Sequence, residues 1–255
     1  MLARITGIAR NTFRESVRDK VLLTLLLFAM LVMGGAKVVQ PVAMGEADKI
    51  VKDLGLSAIT LFGVLIAILV GGRIVYKEVE KRTIYLVLAR PVRRIEFIIG
   101  KYLGLMAVLV VSVAVMTAAF YLILWVSGAR PTGQLLWAVF MTLFELALIT
   151  AVAIMFSTFV TPIASTVFTF AVYFIGHGTP LLKQLAALGT SPVVKILGLV
   201  LYYILPNLEN FNLRGEVVHG APLNPAAIAL SATYALVYVV TLLLISVVVF
   251  SRKDF

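Results

Sequence analysis

The chain alternates long apolar runs with short polar segments. A helix needs about 20 apolar residues to span the hydrocarbon core of a bilayer, and five runs approach or exceed that length. A sixth run is shorter, about 13 residues, and would need its neighbours or burial by other helices to span. We therefore predict an all-α polytopic membrane protein with six transmembrane helices. The predicted spans are Val21–Val39, Leu54–Val75, Phe97–Val126, Leu135–Phe159, Ile163–Ile175 and Ala226–Phe250.

The first 20 residues have a different pattern, typical of an amphipathic helix. Apolar residues recur at helical spacing, with arginines on the other faces. The apolar positions are Leu2, Ile5, Ala9, Phe13 and Val17, and the arginines are Arg4, Arg10, Arg14 and Arg18. We expect residues 1–20 to lie in the inner headgroup layer, in contact with membrane lipid. The alternative is a cleaved signal peptide ending near Gly34-Gly35-Ala36, but the leading segment is too long and too amphipathic for that.

Composition and charge place the chain in the membrane class. It is 62% hydrophobic and 13% charged, against about 25% charged in soluble domains. The net charge of +10 could suggest nucleic acid, but the cations cluster at the ends of apolar runs, as the positive-inside rule predicts. With both termini in the cytoplasm, cytoplasmic cations outnumber external ones by roughly two to one. We therefore expect N- and C-termini inside and no nucleic-acid partner.

A dense island of charge, residues 76–101, separates the second and third predicted spans. We predict a short helix over Lys77–Leu88, ended by Arg90-Pro91, because the residue before proline is pushed out of the helical region. Pro91 can then occupy the first turn of the next helix, where Glu96 suits the helix dipole. A solvated loop that only carries topological charge is the alternative. Against it, the island mixes acidic and basic residues, whereas a topology signal needs only cations.

The island also carries a family resemblance. EKRTIYLVLARPVRR followed by EFIIGKYLG resembles the region after the second span of type-2 ABC transporter permeases. It is especially similar to the subgroup containing the nitrous-oxide-reductase accessory permease. RNTFRESVRDKVL, TLFGVLIAILVGGRIVYKE, YYILPNLENFN and FSRKDF also match, so the resemblance covers essentially the whole chain.

The resemblance implies one permease domain over residues 1–255, in a bacterial or archaeal cytoplasmic membrane. It would form a homodimer with two copies of a separate ABC ATPase subunit and act as an exporter. Residues 77–90 would be the coupling helix that docks on the ATPase. The implied contact residues are Glu78, Glu80, Lys81, Arg82 and Thr83.

The sequence itself contains no nucleotide site. A P-loop requires G-x-x-x-x-G-K-[ST], but the only Gly-Lys pair, Gly100-Lys101, is followed by Tyr102, and position 95 is Ile. We therefore expect no cofactor in this chain, with ATP and Mg in the partner subunit, and no catalytic residue. A polytopic membrane enzyme is the alternative, but no H-E-x-x-H or G-x-S-x-G motif occurs.

Glu145 stands near the middle of the fourth predicted span. Charged residues at that depth are costly and usually face a bundle interior or a cavity. We consider two interpretations equally: a pathway or conformational-coupling residue, and a protonated glutamic acid hydrogen-bonded to a neighbouring helix. Thr142 and Thr150 flank it without offering an ion pair.

The segment between spans five and six, residues 177–225, contains a seventh apolar patch of about 10 residues, too short to span. The resemblance suggests re-entrant helices here that gate the outer end of the pathway. The gate candidates are Tyr202, Tyr203, Pro206, Asn207 and Asn210. The alternative is an external loop anchored by Tyr202 and Tyr203 as interfacial aromatics.

Metal and substrate signals are weak. Two histidines, His177 and His219, with no cysteine make a poor metal site, and the scattered methionines suit packing, so we expect no metal. Gly100 and Gly104 form G-x-x-x-G, a possible close helix contact. Lipid, peptide, drug and ion substrates all remain open. So does an ATP-coupled scaffold that acts on an external partner protein.

Overall fold

The computed structural model describes residues 2–39, 46–76, 93–179, 181, 184 and 192–252, with the backbone alone at 36–39, 192, 194 and 197. Within these ranges every regular element is helical. The α-helices are α1 Leu2–Val17, α2 Lys20–Val39, α3 Ala47–Ile74, α4 Arg94–Ser127, α5 Gln134–Ser157, α6 Pro162–His177, α7 Pro192–Ile204, α8 Arg214–His219 and α9 Pro225–Ser251, with a 3-10 turn at Glu209–Phe211.

The all-α prediction is confirmed. Each predicted span lies largely or wholly within one helix: α2, α3, α4, α5, α6 and α9 in order. Four of these, α3, α4, α5 and α9, are long and apolar enough to cross a membrane. Residues 20–35 of α2 and the whole of α6 are shorter apolar helices. The exact count of six spans therefore stays a prediction.

Local sequence explains where these helices begin and end. Helix α4 begins with a capping box in which the Glu96 side chain accepts from the Arg93 backbone N–H at 3.0 Å. It ends at Gly128, whose φ of +71° is a left-handed conformation that favours glycine. Pro162 and Pro225 occupy first-turn positions of α6 and α9, where proline loses no helical hydrogen bond. Asn224 caps α9 by accepting from the Ala226 N–H at 3.0 Å.

The core lies around α3 and α5. In each, 67% of the apolar window is buried, against 39% in α4 and 28% in α9. Helix α3 packs against α2, α4, α5 and α6, while α5 also packs against α9. The polar residues of α5 therefore face protein rather than lipid, and Thr142, Glu145 and Thr150 are all buried.

Helix α1 packs mainly on the first turns of α4. A Cβ atom added at Gly104 would lie 2.6 Å from the Ala9 carbonyl oxygen, and one at Gly100 would lie 2.8 Å from the Ile8 side chain. The G-x-x-x-G pair thus lets the two backbones approach closely. The face of α1 that this contact buries includes Thr12.

The buried face of α1 is rotated from the predicted apolar stripe. It comprises Ile5, Thr12 and Ser16, while Leu2 is 80% exposed. The predicted amphipathic helix is present, and Leu2 and Val17 remain exposed. Its place in the headgroup layer stays a prediction.

The end of the bundle that the positive-inside rule assigns to the cytoplasm is tied together by arginines. Arg73 pairs with Asp19 at 3.0 Å, which joins α3 to the link before α2. The Arg94 guanidinium donates to the carbonyl oxygens of Phe250 and Ser251 at 2.6 Å. The start of α4 is therefore bound directly to the end of α9.

Candidate site at the outer end of the bundle

The predicted docking residues Glu78, Glu80, Lys81, Arg82 and Thr83 lie outside the described residues. The proposed coupling helix thus stays a prediction. The remaining candidates lie toward the opposite end of the bundle, where α4 ends and α5 and α9 begin. We call it the outer end, since the charge distribution predicts that it faces outside.

A polar cavity of about 200 Å³ lies inside the outer half of the bundle. Three helices and one irregular segment form its walls. They contribute Leu56 and Thr60 from α3, Ala138, Thr142 and Glu145 from α5, Tyr173 and His177 from α6, and residues 211–214. We call it the Glu145 chamber.

Glu145 is 2% exposed, and its carboxylate oxygen Oε1 lies 3.5 Å from Nε2 of His177. That separation is within ion-pair reach, yet Oε1 receives no hydrogen bond from any described residue. Glu145 thus lies in the bundle interior, at the wall of a cavity, and its role in the pathway or in coupling stays a prediction. The alternative, in which Glu145 is hydrogen-bonded to a neighbouring helix, is not supported for Oε1, because Nε2 of His177 does not meet hydrogen-bond geometry.

Sequence reasoning missed His177 as the partner of Glu145, although a signal was present. Helix α6 has only 16 residues, about 24 Å at 1.5 Å per residue. A span that short ends below the membrane surface, so the histidine at its end reaches the depth of a mid-span residue. Among the residues that the structure covers, no group of three or more His, Asp and Glu side chains could hold a metal ion.

Two threonines form the side of the chamber opposite the histidine. The Thr142 hydroxyl donates to the Ala138 carbonyl at 3.1 Å, and its oxygen lies 3.3 Å from the Thr60 hydroxyl. The Thr150 hydroxyl, five residues past Glu145, has no hydrogen-bond partner within the described ranges. Helix α5 therefore carries buried polar side chains on both sides of Glu145, which the sequence indicated only as flanking residues.

Residues 204–214, which we call the closing segment, cover part of the outer side of the chamber. The Leu208 N–H donates to the Gly176 carbonyl at 3.0 Å, and Leu208 and Phe211 are fully buried. A Cβ at Gly176 would lie 2.8 Å from the Leu208 side chain and 2.9 Å from the Pro206 carbonyl oxygen. The missing side chain of Gly176 therefore provides the space in which the segment sits.

Other bonds hold the closing segment to α9 and α3. The Tyr234 hydroxyl accepts from the Asn207 N–H at 3.0 Å, and the Tyr238 hydroxyl donates to the Ile204 carbonyl. Arg214 pairs with Asp53 at 3.0 Å. These few polar contacts join three separate helices to one short segment.

The gate candidates divide into two groups in the structure. Pro206 is buried, and Asn207 takes part in the closing segment through its backbone. Tyr203 is 78% exposed, and Asn210 is exposed. Tyr202 is half-buried and packs edge-to-face with Tyr203 at a centroid distance of 5.2 Å. None of the five lines the chamber itself.

Tyr234→Phe is expected to loosen the closing segment, because it removes the acceptor of the Asn207 N–H. An unsatisfied buried backbone group costs about 1–3 kcal/mol, and Asn207 is only partly buried, so we expect the lower part of that range. Amide hydrogen exchange should rise in residues 204–211. Thr233→Val is the matched control, since the Thr233 hydroxyl bonds only within its own helix. Equal exchange in both variants would contradict the assignment.

Comparison with known proteins gives the class of the chain. The model of a family described as ABC-2 family transporter protein matches residues 6–255, so the chain belongs to the ABC-2 transporter family. It is a membrane permease subunit of an ABC transporter, a multi-pass component that associates with an ABC ATPase subunit. No curated protein gives a significant match.

Proposed function

We propose that the chain is the membrane subunit of an ATP-driven exporter, formed by two copies with two ATPase subunits. The complex would sit in the cytoplasmic membrane of a bacterium or archaeon, with both termini of the chain inside. The observation that carries the proposal is the segment that covers part of the outer end of the chamber. A buried polar chamber lies under a segment held by a few hydrogen bonds and one ion pair. Such a closure can be exchanged for an open state at small energetic cost, as an outer gate requires.

Helix α9 offers a physical route from the cytoplasmic end to this gate. Near its C-terminal end, the carbonyls of Phe250 and Ser251 accept from Arg94 at the start of α4, and the Phe250 ring stacks on Phe97 at 5.6 Å. In its outer half, Tyr234 and Tyr238 hold the closing segment. The helix has 27 residues, about 40 Å. A tilt of α4 would therefore move the C-terminal end of α9, and α9 would transmit this movement to the closing segment.

The start of α4 is also where the predicted coupling segment, residues 77–90, joins the described structure. Glu96 there lies 3.8 Å from Arg4 of α1, so α1 shares the same junction. We infer that closure of the ATPase pair on ATP moves the coupling segment, which then shifts α4 against α1 and α9. The sequence leaves the transported solute open, and membership of the nitrous-oxide-reductase accessory subgroup remains a prediction from the resemblance.

The test is co-purification with an ABC ATPase, using a charge-exchanged docking segment. Glu80→Arg combined with Arg82→Glu preserves net charge but reverses the local pattern. We expect the ATPase subunit to be lost from the purified complex, because like charges then face each other across the interface. Retention of the ATPase with full ATP hydrolysis would show that the docking assignment is wrong.

The matched control exchanges charges at the other side of the membrane. Asp48→Lys with Lys52→Asp likewise exchanges one acidic and one basic residue, in the first turns of α3, away from the predicted cytoplasmic face. This variant should keep the ATPase subunit. If both exchanges release it, the loss reflects general damage to the permease and not docking.

A further inference from the structure

The Glu145 chamber contains one acidic group that no fixed cation neutralises by direct hydrogen bonding. Glu145 is 2% exposed and lines the cavity, and its Oε1 has no hydrogen bond from the described residues. An ionised carboxylate removed from water without a partner is strongly destabilised. The arrangement therefore requires a neutralising species inside the chamber.

The surrounding elements supply little positive charge. From α6, His177 stands 3.5 Å away and Tyr173 lines the wall. Arg214 of α8 is neutralised by Asp53 of α3 at 3.0 Å and also donates to Ser57. Glu209 adds repulsion at Glu145. With neutral His177, these groups leave the chamber net negative.

The remaining helices that pack on α5 do not change this balance. Helix α9 contains no Asp, Glu, Lys, Arg or His, and its ionisable groups are Tyr234 and Tyr238. Helix α4 carries its charged residues only in its first turns, as Arg94, Glu96 and Lys101. Those turns lie at the cytoplasmic end of the bundle, remote from the chamber.

The chamber offers oxygen atoms that suit a small hard cation. Besides Glu145, the residues that line it include Thr60, Thr142 and Tyr173, which carry hydroxyl groups, and Asn212, which carries an amide oxygen. Carboxylate, hydroxyl and water oxygens are the ligands that such cations prefer. Its volume of about 200 Å³ leaves room for several waters at about 30 Å³ each, so a bound ion can keep part of its hydration shell.

We propose that the Glu145 chamber is a binding site for one monovalent cation, either an alkali ion or a proton held by Glu145. Both ligands act through the same chemistry, neutralisation of the buried carboxylate. The site adjoins the gate, because His177 follows Gly176, whose carbonyl accepts from Leu208. Cation occupancy therefore stabilises the closed outer end. The inference requires no particular transported solute and no direction of transport.

The experiment measures thermal unfolding of the purified permease complex in detergent at constant ionic strength. Sodium or potassium chloride is compared with N-methyl-D-glucamine chloride, whose bulky organic cation lacks the coordination chemistry of an alkali ion. If an alkali ion is the ligand, the wild type should melt roughly 2–4 °C higher in one of the small cations at a severalfold excess over the dissociation constant. Glu145→Gln should lose this shift, since the amide has no charge to neutralise. Glu216→Gln, at an exposed acidic residue outside the chamber wall, should retain it.

A pH series without alkali ions tests the second alternative, in which the ligand is a proton held by Glu145. If the proton is the ligand, the wild type is stabilised on acidification relative to Glu145→Gln, whose dependence on pH is flatter. An identical response of wild type and Glu145→Gln to alkali ions and to pH would overturn the proposal. So would a pH response that disappears in His177→Gln but persists in Glu145→Gln, because the histidine alone would then bind the proton.

A second variant keeps the proposal testable if Glu145→Gln does not fold. Thr60→Val removes one chamber oxygen from the opposite wall while keeping the shape of the side chain. It should weaken alkali binding severalfold and leave the response to protons unchanged. If Thr60→Val responds to alkali ions as the wild type does, the ion binds outside the chamber and the alkali-ion alternative is wrong. If the response of Thr60→Val to pH differs from that of the wild type, the proton alternative is wrong.

Discussion

Gly104→Ala is expected to lift helix α1 from helix α4. The added Cβ would lie 2.6 Å from the Ala9 carbonyl oxygen and 2.6 Å from the Thr12 Cβ. The first of these atoms is backbone and cannot rotate away, so the whole helix must shift. Overpacking of a fitted contact costs about 1–3 kcal/mol, and we expect the upper end of that range here. The loss should also lower ATPase coupling, since α1 shares the junction at Glu96.

The measurement can use thiol labelling, because the chain contains no cysteine. Thr12 is buried against α4, so Thr12→Cys should be protected in the parent protein and labelled when Gly104→Ala is added. Gly7→Ala is the matched control on α1 itself, where a Cβ meets nothing within 4 Å. Alanine is a better helix former than glycine by about 1 kcal/mol, so the control should be neutral or stabilising. Continued protection in Gly104→Ala would contradict close backbone packing.

Hydropathy located the long helices well because burial in lipid and burial in protein impose the same apolar composition. All six predicted spans coincide with helices, and most ends agree within about three residues, as expected of helix boundaries. The start of α3 is the exception. It begins at Ala47, before the predicted Leu54, because the polar sequence ADKIVKD continues the helix without contributing an apolar signal.

Contacts between helices were much harder to predict. The G-x-x-x-G pair indicated a close approach, but not that α1 would be its partner. Likewise Glu145 stood out by its depth, while its neighbour His177 comes from another helix. Hydropathy gives the depth of a residue along one helix, whereas the rotation of that helix and the choice of its neighbours depend on packing.

The tyrosines of α9 that contact the closing segment were likewise not predictable from the sequence. Tyr234 and Tyr238 lie in a strongly apolar helix with little burial, and nothing local marks them as hydrogen-bond partners of the closing segment. Their role follows from the return of residues 204–214 to the bundle. The gate hypothesis named this segment but not the side chains that hold it, and Tyr202 and Tyr203, which it did name, lie outside the chamber wall.

Gly176→Ala is expected to unseat the closing segment and open the Glu145 chamber to the outside. The new Cβ would meet the Leu208 side chain at 2.8 Å and the Pro206 carbonyl oxygen at 2.9 Å. The side chain alone could turn aside, but the Pro206 carbonyl oxygen cannot. The N–H of Leu208 would then lose the Gly176 carbonyl, at a cost of about 1 kcal/mol beyond the steric strain.

Leu208→Cys reports this opening, since Leu208 is fully buried. A membrane-impermeant thiol reagent added outside should label it several-fold faster when Gly176→Ala is present. Gly178→Ala is the matched control two residues away, with a φ of −84° and no atom closer than 3.4 Å to the added Cβ, and it should not change the labelling rate. Equal rates in the two variants would mean that the segment does not close the chamber. If labelling is faster and ATP hydrolysis is retained, the gate is held by local packing. The gate of the variant then opens without the ATPase and no longer responds to it.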